Sequence, residues 1–424
     1  MPLKPLRAVV LLVFASLALL PPIAAAQTTP VAPPDPSDVF FDDTVVQDVR
    51  LTINMRDWAS LKDHYLASDY YPAEFRWKGQ VLRGVGIRSR GTGSRSGVKP
   101  GLRIDFDRWA SDQTFLGLKS IVLRNQTQDA SNLRERVGML FFRRMGVKAV
   151  REAHARLFVL NEYVGLYTIV ESLDKTWLSK NLGENDGHLY EFHFDNSVGH
   201  VPFLFRYLGS NPGLYVPTPF KPETRESDPQ EEVIERFIWT VTEAGDAVWR
   251  QAIAEFLDLR VFIRHLAVEN FLAEQDGITG DYGPNNFYFY RYEKKNLFTF
   301  LPWDKSNTFW DPDYFIFRNI EDGPKDHQNQ LVLRAFQYDD LRNLYLDTLL
   351  ECASSALKVD VPGQWPWLEN EVEREYEQIQ AAALADPAKP FTNAEFELSI
   401  EGLKTFARTR SDIVRAQVAS RRIR

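Results

Sequence analysis

A single cysteine, Cys352, in 424 residues rules out any disulfide within the chain, so stability must come from packing. That cysteine also lies far from the N-terminal region and cannot serve as a lipid anchor there. Outside the first residues, no stretch is apolar enough to span a bilayer. An excess of positive charge is missing too. The formal net charge is −8, which gives no global attraction to nucleic acid or anionic lipid, and neither is an expected partner. Internal repeats are absent. What remains is a chain with 44% apolar and 13% aromatic residues, ample for a large core in one or two domains. Its 25% charged fraction is ordinary for a soluble protein.

The N-terminal region reads as an export signal over residues 1–26. Lys4 and Arg7 precede an apolar run from Ala8 to Leu20, and Ala24-Ala25-Ala26 before Gln27 suits a small-residue cleavage site. Thirteen residues are short for a membrane span, so a mature chain without a transmembrane segment is expected. Its expected destination is the periplasm, the cell envelope or the exterior. Cleavage would move the formal charge from −8 to −10. Residues 27–37 are proline-rich and read as an extended tether.

From residue 38 onward the pattern divides in two. Alternating residues predict strands over Val45–Ile53, Phe75–Trp77, Val81–Arg90, Leu102–Phe106 and Ile121–Leu123, with a short helix near Trp58–Tyr65. A helix with Leu133, Val137, Leu140 and Phe141 on one face is expected to be capped by Ser131 or Asn132 and ended by Gly146. Ala155–Leu160 and Val164–Ser172 form a hairpin around Asn161-Glu162. Long helical patterns then cover Glu231–Glu243, Asp258–Glu274, Leu331–Ala356, Trp367–Ala383 and Asn393–Val418. The expectation is an α+β fold with two lobes around a cleft: a sheet-rich N-lobe, about 38–173, and a helix-rich C-lobe, about 174–424.

The chemistry concentrates between Asp276 and Asp304. An acidic, glycine-bearing loop holds Asp276, Asp281, Asn285 and Asn286, and strands Phe287–Tyr292 and Leu297–Trp303 follow. Pairing Tyr292 with Leu297 sets Asn286 opposite Trp303 and Asn285 opposite Asp304. Oxygen ligands with a spare carboxylate at one point suit Mg²⁺, a phosphate and an oriented nucleophile. The bland alternative is a turn whose Asp and Asn residues satisfy backbone groups. Asp281 precedes Asn286 by five positions, the separation of base and metal-binding Asn in protein kinases, although HRD and DFG letters are absent. Arg88-Ser-Arg-Gly91-Thr-Gly93-Ser-Arg95-Ser-Gly97-Val-Lys99 is a glycine- and cation-rich loop fit to approach phosphate, or simply a solvated hairpin. Arg103 lies on the rigid strand after it. In Asn125–Arg136 the polar residues read first as helix caps, while Arg134 has the reach to meet a phosphate or Glu171. Glu171 ends an apolar strand and needs a partner if buried.

Four blocks occur in order: GIRSRGTGSRS…KPGLRIDFD, FLGLKSIVLRNQTQDASNLRERVGMLFFRRMGV, LFVLNEYVGLYTIVESLDKTWL and DGITGDYGPNNFYFY…FLPWDKSNTFW. Together, over roughly Val45–Trp310, they resemble the CotH kinase family, named after spore coat protein H. The resemblance implies an atypical protein-kinase-like fold and transfer of the ATP γ-phosphate to Ser or Thr of proteins, with Mg²⁺ or Mn²⁺. It implies a metal at Asp304 and Asn286 and a catalytic carboxylate in the acidic loop. The base is expected at Asp281, whose separation from Asn286 fits, with Asp276 as the alternative, and nucleotide contacts are expected from Arg88, Arg103, Glu171 and Trp303. Ser306 stands where many members carry a second acid. Two rival expectations are a kinase-like surface or binding protein without catalysis and transfer of another part of the nucleotide.

Overall fold

The computed structural model describes residue 1 and residues 35–193, 202–322 and 328–422. The expected export signal and most of the tether therefore lie outside the described residues. From Pro36 onward the chain forms one compact unit.

Seven strands of the N-lobe close into a barrel. They are β1 (Gln47–Ile53), β2 (Tyr71–Trp77), β3 (Gln80–Ser89), β4 (Leu102–Asp105), β5 (Ser120–Arg124), β6 (Glu152–Val159) and β7 (Glu162–Glu171), in the order β1-β2-β3-β4-β5-β7-β6. Neighbours are antiparallel except at the closure, where β1 pairs β6 in parallel, Gln47 facing Ala155 and Leu51 facing Val159. Closure removes the free edges that an open sheet of this size would present. Alternate residues point inward, as the buried-then-exposed pattern of β1 shows. Phe40, Phe75, Trp77 and Phe115 meet edge to face inside, among Val85, Ile87, Ile104 and Leu123. Helix α1 (Met55–Asp63) is capped by Asn54. Helix α2 (Arg134–Arg144) links β5 to β6, and Gly146 follows it at φ +79°.

The C-lobe begins with α3 (Lys175–Leu182) and holds a second sheet. Its strands are β8 (His188–Phe192), β9 (Phe220–Pro222), β10 (Phe287–Arg291) and β11 (Phe298–Pro302), in the order β11-β10-β8-β9. The expected hairpin of β10 and β11 is thus half of a four-stranded sheet. Helices α4 (Glu231–Glu243), α5 (Asp246–Ile253), α6 (Leu259–Phe271), α7 (Gln330–Ala335), α8 (Asp339–Ala356), α9 (Trp367–Leu384) and α10 (Asn393–Arg421) surround it. One apolar core runs from Val122 and α2 through the sheet to Val418 on α10.

The single helix expected over Leu331–Ala356 is two. Tyr338 leaves the helical region at φ −101°, ψ 115° and stacks on Trp249, and Asp339 and Asp340 open the next helix at its positive end. None of the helices among the described residues is long and apolar enough to cross a membrane.

Candidate active site

Strands β10 and β11 pair in the expected register. Phe287 faces Pro302, Arg291 faces Phe298, and Trp303 N–H donates to Asn286 O at 3.2 Å. Asn286 and Asp304 therefore meet at one end. Both hold left-handed backbone, φ +58° and +50°, which persists in non-glycine residues only where the surroundings impose it. Those surroundings are specific. Lys305, fully buried, donates from Nζ to Asn286 O at 2.9 Å and to Glu269 Oε1 on α6 at 2.6 Å. Glu269 Oε2 accepts from Ile278 N–H at 2.7 Å, so one ion pair ties the strand ends to the acidic loop. A Cβ on Gly277 would lie 2.5 Å from the Glu269 carboxyl carbon, and only glycine passes there.

Asp276 accepts from Asn285 Nδ2 at 3.0 Å, and Asn286 Nδ2 donates to its Oδ2 and its backbone O, each at 3.0 Å. Burial pushes the Asp276 carboxyl up to about 6; the Asn285 hydrogen bond opposes the rise, and the negative Asp304 adds to it. Burial pushes the Asp304 carboxyl up, but Arg124, the Ser306 hydrogen bond and the Arg90 charge together hold it below the usual carboxylate range. Arg124, at the end of β5, places Nη1 2.6 Å from Asp304 Oδ2 and Nε 2.7 Å from Glu135 Oε1 on α2. Asp276, Asn286, Trp303, Asp304 and Arg124 all line a cleft of about 470 Å³ roofed by the Arg90–Arg95 loop. Trp303 meets two guanidiniums, with Arg90 and Arg124 each 5.1 Å from its ring centre.

No cluster of three or more His, Cys, Asp or Glu side chains poised for a metal occurs among the described residues. The donors that do converge are still of the right kind for Mg²⁺. Two carboxylates raise each other's cost of ionisation, and Asn286, its amide nitrogen bonded to Asp276, has its carbonyl oxygen to offer. Such hard oxygens fit a cation that brings its own waters and phosphate ligands.

The other expected residues divide. Arg88 lines the cleft, its Nε donating to Tyr70 Oη at 3.1 Å. Asp281 turns away from it: Arg318 Nε and Asn319 Nδ2 donate to Oδ1 at 2.8 and 3.1 Å, and Gln275 Nε2 to Oδ2 at 3.2 Å. Arg103 pairs with Asp105 at 2.7 Å and borders a second cavity of about 280 Å³, walled by Val122, Leu173, Leu189, Tyr288 and Trp303. Glu171 lies outside both cavities and is held by Arg151 Nε at 3.0 Å, not by Arg134, which faces Asp129 at 3.6 Å. Two cations of the glycine-rich loop serve the fold instead of a ligand. Arg95 donates to the carbonyls of Gly91, Tyr65, Leu66 and Ala67, and Lys99 is buried against Asp386 at 2.7 Å.

Arg124, Glu135, Lys305 and Glu269 were not singled out as site residues by the sequence. A signal for the first pair was present: a cation ending the apolar strand SIVLR, then an acid in the first turn of the next helix. That order matches the strand cation and helix acid of protein kinases.

The model of the family described as CotH kinase protein matches residues 87–414. Inner spore coat protein H of Bacillus subtilis (strain 168) is 23% identical over 367 residues, covering 86% of this chain and 96% of that protein. Among solved structures, the Helicobacter pylori proinflammatory kinase CtkA aligns at 9% identity over 76% of this chain and 94% of its own, with a TM-score of 0.29. HipA of the Shewanella oneidensis MR-1 HipA, HipB and operator DNA complex aligns at 12% identity over 86% and 81%, with a TM-score of 0.34. Overlaps that low carry no argument about function. The family match spans most of the sequence and includes every residue that lines the cleft except Ser68: the chain belongs to the CotH kinase protein family.

Proposed function

We propose that this chain is an exported kinase that transfers the γ-phosphoryl group of ATP, with Mg²⁺ or Mn²⁺, to Ser or Thr hydroxyls of secreted or cell-envelope proteins. One observation carries the reading: Arg124 joins Glu135 on α2 to Asp304 at the point where Asp276 and Asn286 meet. That is the constellation phosphoryl transfer needs, since its catalysis is mostly positioning and charge stabilisation. The export part rests on the apolar run after Lys4 and Arg7.

Asp304 and Asn286 would hold the divalent cation, which supplies charge neutralisation at the phosphate oxygens. Asp276 is the base in this reading. It lines the cleft beside Asn286 and its side-chain partners are neutral amides, whereas Asp281 does not line the cleft and is paired with the Arg318 guanidinium. Arg124 and Arg88 offset phosphate charge, and the cavity behind Trp303, apolar at Val122, Leu173 and Leu189 and otherwise mostly polar, takes the base of the nucleotide. Trp303 separates that cavity from the phosphates and helps exclude water from them.

Asp276→Asn and Asp304→Asn are each expected to cut turnover about 100-fold or more with the fold retained, while Asp281→Asn stays near wild type. Mass spectrometry of a phosphorylated acceptor reads the product and separates a phosphate from any other transferred group. Loss of activity in Asp281→Asn with Asp276→Asn active would reverse the assignment of the base. A second reading follows from Ser306, whose Oγ donates to Asp304 Oδ1 at 3.1 Å at the position where the family resemblance leads one to expect a second acid. A thermal shift with Mg·ATP but no turnover would make the chain a nucleotide-binding surface protein instead.

A further inference from the structure

Arg124 has more donors than its protein partners use. Its Nη1 is committed to Asp304 Oδ2 at 2.6 Å and its Nε faces Glu135 at 2.7 Å, but Nη2 is buried without a hydrogen-bond partner among the described residues. Asp304, for its part, has both oxygens in hydrogen bonds. Oδ2 is taken by the guanidinium and Oδ1 accepts from Ser306. A bare divalent cation that takes both carboxylate oxygens must displace Arg124, and one that takes Oδ1 alone must sit beside the guanidinium charge. The displaced guanidinium would keep Glu135 as its one ion-pair partner among the described residues and would lose a short charge-assisted bond inside a largely closed site. A polyphosphate changes that balance. Its oxygens match the planar fork of a guanidinium, so they can take up both the released Nη1 and the idle Nη2. The carboxylate is then free for the cation.

We infer that Arg124 guards Asp304, so that the cleft takes up a divalent cation together with a polyphosphate and rejects the bare ion. The inference rests on the nucleotide-binding reading above and adds to it an order of assembly. Because one side chain links the two ligands, the linkage is reciprocal: the factor by which nucleotide strengthens cation binding is the factor by which the cation strengthens nucleotide binding.

Mn²⁺ titrated against the full chain, with free ion followed by electron paramagnetic resonance, tests this directly. Titrations are run without nucleotide and with saturating ADP, corrected for Mn·ADP formed in buffer. Wild-type protein is expected to bind Mn²⁺ about tenfold or more tightly with ADP than without it. Arg124→Gln removes the guard, so its ADP-free Mn²⁺ affinity should rise about tenfold or more over wild type, and the effect of ADP should shrink. Asp304→Asn should lose the ADP-dependent Mn²⁺ site; retention there puts the ion elsewhere and overturns the inference. Equal wild-type affinity with and without ADP overturns it as well, whether or not Arg124→Gln folds. So does an Arg124→Gln protein that folds but binds ADP-free Mn²⁺ no better than wild type. A wild-type chain that binds neither ADP nor Mn·ADP fails at the earlier step, because then the nucleotide reading itself is wrong.

Discussion

Asp276 and Asp281 stand five residues apart in one loop, and their neighbours give them different work. Arg318, Asn319 and Gln275 hold Asp281 as a structural anion, whereas two asparagine amides steady Asp276 at the cleft. The kinase-like separation from Asn286 pointed to Asp281. The loop returns on itself, however, and brings Asp276 into contact with Asn286 across ten positions. Spacing along a chain specifies proximity only when the intervening conformation is known. Beside this pair, Glu274 is a carboxyl whose state can be read by pH. Burial pushes it up to about 8, with Lys305 pulling down and Glu269 adding to the rise; its Oε2 has no partner among the described residues. A glutamic acid raised above its ordinary 4.5 binds its proton more tightly when folded. The stability it lends is complete below 4.5 and is lost as pH climbs through 8. Glu274→Gln keeps an uncharged shape and an oxygen for the Asp276 N–H. Its melting temperature relative to wild type is therefore expected to rise between pH 5 and pH 9; a constant difference across that range would contradict the assignment.

Helix α2 carries Glu135 and shows how an element serves the site. Ser131 or Asn132 was the expected cap, but the helix starts after Leu133, which has no side-chain cap of its own. The work is shared further back. Asp129, buried, accepts from Arg134 N–H and Ser131 N–H, each at 2.9 Å, and Ser131 Oγ accepts from Leu133 N–H at 3.1 Å. Asp129→Ala would orphan the Ser131 and Arg134 N–H groups and the Ser131 hydroxyl, and is expected to cost about 1–3 kcal/mol in urea unfolding, against about 0.5–1 kcal/mol for Ser131→Ala. Since Glu135 is the second residue of this helix, the KM for nucleotide should rise in Asp129→Ala as well. An unfolding midpoint equal to wild type would remove Asp129 from the capping role. Elements with strong periodicity, such as Glu231–Glu243 and the Thr392-capped Asn393–Arg421, were legible at nearly their true bounds. The short strands β8 and β9 were not. They are short and, unlike β10 and β11, are not joined to a partner by a tight turn: β8 pairs with β10 about a hundred residues on and β9 with β8 about thirty residues back. Barrel closure escaped for the same reason, because β1 meets β6 about a hundred residues away.

At the scale of the whole molecule, the question is what holds the glycine-rich roof of the cleft to the rest. Lys99, at the end of that loop, and Asp386, between α9 and α10, are 287 positions apart and each only 1% exposed. Their Nζ and Oδ2 lie 2.7 Å apart, and Lys99 also faces the Tyr167 ring at 5.2 Å. Asp386 does more than pair with the lysine. Its Oδ2 accepts from Leu166 N–H and its Oδ1 from Ala388 N–H, each at 2.9 Å. The two partners are therefore unequal. Lys99→Met leaves a carboxylate that two N–H groups still satisfy, whereas Asp386→Leu strands a buried ammonium and two backbone donors together. Breaking a buried pair from one side commonly costs about 3–5 kcal/mol, so Asp386→Leu is expected at or above the top of that range and Lys99→Met below it. The double variant Lys99→Met/Asp386→Leu removes the stranded charge but not the two orphaned N–H groups. It should unfold between the two single variants in urea. If Lys99→Met proves the costlier change, the backbone bonds to Asp386 contribute little. The tail helices would then hold the loop through the lysine charge alone.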